Sequence, residues 1–270
     1  MLKGWALFFI IFILIVIGIT FSFVVIKKNV NVNNESKKNI VGVKEDKIDE
    51  LQMEKIILNT DDGVEIVGDY YPVVGSKFAG ILLHMMPATR KSYTEVSRVL
   101  NEAGWSVLSI DLRGHGESIN SSRGKLNYEK FTDKEHQGSI FDISSASNFL
   151  KSKGFAVDSQ FLIGASIGAN LSLKFLSENK DIKTAILISP GLNYKGILTE
   201  PLMSNEISNK VLLVSSTGDV DSYGAVKLLK EKYQNSELMI FAGEGHGTDI
   251  FKNYKDSTDK VVNWLKGKLI

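Results

Sequence analysis

The chain has 270 residues, of which 43% are hydrophobic and 23% charged, with a formal net charge of +1. That is the composition of a folded domain of ordinary size, and the near-neutral balance gives no electrostatic footprint for nucleic acid. The lack of cysteine excludes disulfides, thiolate zinc sites, a lipidated cysteine and a cysteine nucleophile together.

The first element is apolar. Trp5 to Ile26 is a run of 22 residues without a charge, relieved only by Gly18, Thr20 and Ser22. As a helix it would reach roughly 33 Å, enough for a hydrocarbon core of about 30 Å. It ends Phe23-Val24-Val25-Ile26, with no small-residue cleavage site, so it reads as an uncleaved signal anchor over residues 1–28. Lys27, Lys28, Lys37 and Lys38 against the single Lys3 argue for a cytoplasmic domain. A large domain behind an N-terminal anchor is nevertheless often exported, and the balance tips slightly towards an extracytoplasmic location. Residues 29–50, rich in Asn, Lys, Glu and Ser, bury too little apolar surface to fold and read as a flexible linker. The folded domain then spans residues 51–270. No internal repeat is present.

Within that domain, two strand-like segments flank Asp61-Asp62-Gly63, which predicts a hairpin. Apolar runs follow at 80–84, 106–110, 160–163, 184–188, 211–214 and 238–241. Between them lie amphipathic stretches near 93–103, 137–151, 167–178, 224–233 and 257–268. Runs apolar on both faces, alternating with helices, predict a mostly parallel sheet of eight strands covered by helices on both sides. Ligand sites in such sheets lie past the carboxyl ends of the strands, so chemistry is sought there.

Gly164-Ala165-Ser166-Ile167-Gly168 stands directly after one strand and directly before a helix. Such a turn strains its central residue and crowds the positions two removed, where glycines leave room and expose the Ser166 hydroxyl. A capping serine in a glycine-rich turn is the plain alternative, but the strand before and the helix after favour Ser166 as a nucleophile. Ser166 as nucleophile requires a base. Of the four histidines, His84 ends a strand and reads as structural, His115 lies in a turn, and His136 begins a helix without a flanking pattern. His246, in Gly243-Glu244-Gly245-His246-Gly247, follows a strand on a loop flexible enough to reach Ser166, and is the expected base. The orienting acid is Asp219 or Asp221, both past the strand at 211–214. Asp219 is preferred because it lies nearer the strand and follows Gly218.

From about residue 53 onward the chain resembles the α/β-hydrolases, close to the serine aminopeptidase-like and monoacylglycerol-lipase-like branch. The resemblance rests on Leu82-Leu83-His84-Met85-Met86-Pro87, on Asp111-Leu112-Arg113-Gly114-His115-Gly116-Glu117-Ser118, on Ile163–Gly168 and on Gly243–Gly247. The order Ser166, Asp219, His246 is the order of that family's triad. The resemblance implies an oxyanion hole formed by the amides of Met86 and Ile167. Met85 stands where the family usually has glycine, which leaves Met85 as an alternative donor.

The gap from Ser189 to Lys210 is too short for a lid with its own core, so an open cleft with at most a short helical flap is expected. Met85 and Met86, and with them Met203, are candidates to line it. The expected substrate is a carboxylic ester of modest size or, beside a membrane, a monoacyl lipid. A serine aminopeptidase and a non-catalytic scaffold are the alternatives. No metal, cofactor, nucleic acid or obligate protein partner is implied.

Overall fold

The computed structural model describes residues 52–269. The expected anchor and linker lie outside the described residues, and among those described no helix is long and apolar enough to cross a membrane. The chain opens with β1 (Glu54–Asn59) and β2 (Val64–Tyr71), paired antiparallel with Asn59 opposite Glu65. Gly63 closes the turn at φ 83°, a conformation that glycine adopts without a Cβ penalty. Then come β3 (Ala79–Leu83), α1 (Thr94–Glu102), β4 (Ser106–Ile110) and the two-residue strands β5 (Asn120–Ser121) and β6 (Gly124–Lys125). Helices α2 (Asp133–Gln137) and α3 (Ile140–Ser152) lead to β7 (Gln160–Ala165), α4 (Ile167–Glu178) and β8 (Thr184–Ile188). A small hairpin, β9 (Asn193–Tyr194) and β10 (Ile197–Leu198), precedes the short helices α5 (Thr199–Leu202) and α6 (Asn205–Ser208). The chain ends with β11 (Val211–Ser216), α7 (Val220–Lys232), β12 (Glu237–Phe241), α8 (Asp249–Asn253) and α9 (Ser257–Leu269).

The main sheet runs β12-β11-β8-β7-β3-β4-β2, with β1 and the β5-β6 pair beyond β2. From β12 to β4 every neighbour is parallel, while β2 lies antiparallel to β4 and β1. The sheet therefore has ten strands rather than the eight expected. The additional two are β5 and β6, too short and polar to show any alternation.

Strands β3, β4, β7, β8 and β11 are buried at every position. Their side chains alternate between two cores. Ile81 and Leu83 join Leu108, Ile110 and Leu162 beneath α3, α4 and α7, while Leu82 joins Val107, Phe161 and Ile163 beneath α1, α8 and α9. Each such leucine or isoleucine stabilises the fold by about 1.5–3 kcal/mol, and the two layers hold the strand ends fixed for the loops above them.

Candidate active site

Ser166 occupies the turn between β7 and α4 at φ 54°, ψ −118°, a conformation that costs a non-glycine residue about 1–3 kcal/mol. The neighbouring glycines permit it. A Cβ on Gly164 would run into the carbonyl of Gly168, and one on Gly168 into the carbonyls of Leu83 and His84. Ser166 stands at the N-cap of α4 but makes no side-chain capping bond, so the capping interpretation does not apply. The residue is 8% exposed, with its hydroxyl directed to no protein acceptor among the described residues.

The ends of the central strands are laced together above the sheet. Ser166 N–H donates to Ile188 O at 2.8 Å, Ser189 N–H to Val214 O at 2.8 Å, and Thr217 N–H to Phe241 O at 2.9 Å. This lacing carries the loop that bears His246. Its Nδ1 lies 2.8 Å from Asp219 Oδ2. An ionised carboxylate only accepts, so the proton in this bond belongs to Nδ1, and Nε2 is the nitrogen left for other partners. Asp221 instead falls in the first turn of α7 and is exposed. On either side of His246 the backbone is tied down: Ser216 Oγ donates to Gly245 O at 2.6 Å, and Gly247 N–H donates to Ser189 Oγ at 2.9 Å. A Cβ added to Gly247 would sit 3.4 Å from the Cβ of Ala165 and 2.5 Å from the sulfur of Met85. The histidine loop thus packs directly against the residue that precedes Ser166. The Asp219 side chain is 12% exposed and that of His246 39%, which leaves the imidazole reachable from solvent and its partner shielded.

At the end of β3, His84 is fully buried. Leu112 N–H donates to its Nε2 at 3.0 Å, so Nδ1–H donates to Met85 O at 2.9 Å. Burial holds its pKa down to about 4, and the neutral ring fixes the course of the chain into Met85 and Met86. Neither Met86 N–H nor Ile167 N–H has a backbone acceptor among the described residues. Met85 packs under the His246 loop, whereas Met86 packs against the other core and reaches a pocket. Met203, expected near the cleft, is a core residue at 3% exposure, because α5 and α6 fold onto the main core.

The stretch from Asp111 to Ser118 is held by buried charges. Asp111 accepts from Arg90 N–H at 2.7 Å, Glu117 N–H at 2.9 Å and the Arg90 guanidinium, whose Nε–H donates to Asp69 at 2.9 Å. His115 stacks on Tyr128 with ring centroids 3.9 Å apart, and burial, with His84 nearby, lowers its pKa to about 4. His136 does not begin the long helix. It lies in α2, buried, with its ring 5.4 Å from that of Phe131.

These residues build a pocket of about 270 Å³ lined by Met86, Pro87, Tyr128, Glu129, Phe131, His136 and Lys195. Apart from Met86, none of its lining residues carries a functional signature in the sequence. The segment from Ser189 to Lys210 forms the β9–β10 hairpin, α5 and α6, and Ile197, Met203 and Ile207 are buried in the main core. It is a flap without a core of its own. Among the described residues no group of three or more His, Asp or Glu is arranged to hold a metal ion.

A family model described as "Serine aminopeptidase, S33" matches residues 77–241. The chain is similar to an esterase of Pyrococcus furiosus at 20% identity, covering 86% of this chain and 97% of that one, with a TM-score of 0.64. It is similar to a thermostable carboxyl esterase of Bacillus coagulans at 10% identity, with 81% and 99% covered and a TM-score of 0.64. A dienelactone hydrolase of Anabaena variabilis has 15% identity, 80% and 96% coverage and a TM-score of 0.62. No curated protein matches the chain at a significant level.

Proposed function

Since the chain belongs to the serine aminopeptidase family of α/β-hydrolases, we propose that it is a serine hydrolase cleaving carboxylic esters through an acyl-enzyme on Ser166. The observation that carries this reading is the Ser166 hydroxyl at a strained turn, with the loop of the Asp219-bonded His246 packed against the residue before it. In this reading His246 Nε2 takes the proton from Ser166 Oγ as the oxygen attacks the ester carbon, and Asp219 stabilises the resulting imidazolium. The tetrahedral oxyanion is received by the amides of Met86 and Ile167, the latter at the positive end of the α4 dipole. Each such donor is worth about 10²–10³-fold in kcat. His246 then protonates the leaving alcohol, and water, deprotonated by the same imidazole, releases the acid.

The flap without its own core supports an open cleft suited to esters of modest size. The apolar run at 5–26 supports membrane attachment and, with it, monoacyl lipids as substrates, with the domain on the extracytoplasmic side. A second reading, an aminopeptidase, is favoured by the description of the matching family. The test uses the purified full chain and its Ser166→Ala variant with short-chain aryl esters, monoacylglycerols and aminoacyl amides. Ester turnover lost in the variant is expected. Amide turnover exceeding ester turnover selects the second reading. Failure of a fluorophosphonate to label Ser166, with no turnover of any substrate, refutes both.

A further inference from the structure

The pocket beside Met86 carries a charge pattern that ester cleavage alone does not need. His246 has to face the leaving alcohol in order to protonate it, and no residue of the His246 loop lines the pocket. On the proposed mechanism, a pocket reached from Met86 rather than from that loop suits the acyl part of the ester. Met86, Pro87, Tyr128 and Phe131 make its walls largely apolar and aromatic. Its lining includes His136, 4% exposed, whose pKa burial lowers and the Lys195 charge lowers further, against the opposing pull of Asp133 and Glu135.

Lys195 is an exposed residue of the same lining. It occupies the left-handed region at φ 52°, which side-chain-bearing residues adopt only at a cost. The turn is secured by the Gln137 side-chain amide donating to Lys195 O at 2.9 Å and by Gly196 N–H donating to Asn193 Oδ1 at 2.9 Å. None of the ion pairs among the described residues involves Lys195, although other lysines such as Lys180 and Lys232 are paired. Glu129, the other charged lining residue, sits in an exposed turn next to Lys130 and is not among the charges that act on His136. A lysine with its backbone pinned and its ammonium outside any ion pair, beside apolar and aromatic walls, matches a ligand with a short carbon chain ending in an anion.

Resting on the ester-hydrolase reading, we infer that this pocket is an acyl-specificity subsite in which Lys195 receives a carboxylate at the far end of the acyl chain. The preferred substrates are then monoesters of short dicarboxylic acids. The test compares kcat/KM for an aryl monoester of glutaric acid with that for the matching aryl pentanoate, using the full chain. The wild type is expected to favour the carboxylated ester about tenfold, Lys195→Gln to lower that ratio by a similar factor, mainly through KM, and Lys195→Arg to retain most of it. A wild-type ratio of one or less, or a ratio unchanged in Lys195→Gln, overturns the inference. So does a preference for aminoacyl esters that disappears in Glu129→Gln. Turnover of the pentanoate reports on the Ser166 reading separately. If neither ester is turned over, glutarate binding to Ser166→Ala, followed by calorimetry, decides the subsite: binding lost in the Lys195→Gln background supports it, and absence of binding overturns it.

Discussion

Acidification should destabilise this protein through His84. The ring is fully buried and already uses both nitrogens as a neutral group, accepting from Leu112 N–H and donating to Met85 O. A second proton on Nε2 would confront the Leu112 N–H with another donor. Its pKa is accordingly held near 4 in the folded chain, against 6.5 without that environment. The unfolded chain thus binds more protons below pH 6.5. Stability from this group is complete above that value, falls as pH drops, and levels off below about 4. Between pH 7 and pH 5 the linkage comes to about 2 kcal/mol. The comparison variant is His84→Gln, whose amide offers one donor and one acceptor but does not titrate. It will be less stable at pH 7 because its shape differs, so the informative quantity is the slope. Urea unfolding of both proteins across pH 5–7 should show the wild type losing about 2 kcal/mol more than the variant. His115, 4.9 Å away, is present in both and largely cancels. Equal slopes would refute the assignment of a neutral, doubly bonded imidazole.

Asp219→Asn should lower kcat for ester hydrolysis by about 10³–10⁴-fold with little change in stability, because the partner of His246 Nδ1 no longer stabilises the charged ring. An effect below about tenfold, measured on an aryl ester, would remove Asp219 from the mechanism. Ser189→Ala leaves the buried Gly247 N–H without its acceptor, at a cost of about 1–3 kcal/mol. Steady-state kinetics should show kcat falling about tenfold with KM nearly constant, while a drop in Tm with unchanged kcat would reduce Ser189 to a purely structural residue. Arg90→Met takes the guanidinium from two buried carboxylates, leaving Asp69 only Lys91 and Asp111 only backbone N–H donors, and should destabilise the fold by about 3–5 kcal/mol in denaturant unfolding. A loss under 1 kcal/mol would mean that those acids find other partners.

The strands were legible because the central ones are buried on both faces and read as unbroken apolar runs, and the first hairpin because Asp-Asp-Gly announces its turn. Gly164 and Gly168 mark the turn at Ser166 because each faces backbone where a Cβ has no room. The choice between Asp219 and Asp221 was open in the sequence since both follow β11. The structure separates them by where α7 begins, which places Asp219 before its first turn and Asp221 within it. The pocket escaped the sequence for a different reason. Residues 113–139 have no hydrophobic period, and their path is set by distant partners: Arg113 bonds to Asp62 at 2.6 Å and to Asp142 at 2.8 Å, and Tyr128 lies on His115. Lys195 sits between strands of two residues each, too short to register as a pattern. Ser189 and Ser216 look like ordinary loop serines until their partners on the His246 loop are seen.

The lacing that joins Ser166 to Ile188, Ser189 to Val214 and Thr217 to Phe241 also dictates a temporal order. Chains emerge from the ribosome N-terminal end first, at about 5–20 residues per second, so the serine appears well before the histidine that would activate it. The loop bearing His246 follows β12, so on the proposed mechanism the base is positioned only once β12 docks at the sheet edge. In that mechanism, catalytic competence comes only when that last strand and its loop have joined the sheet.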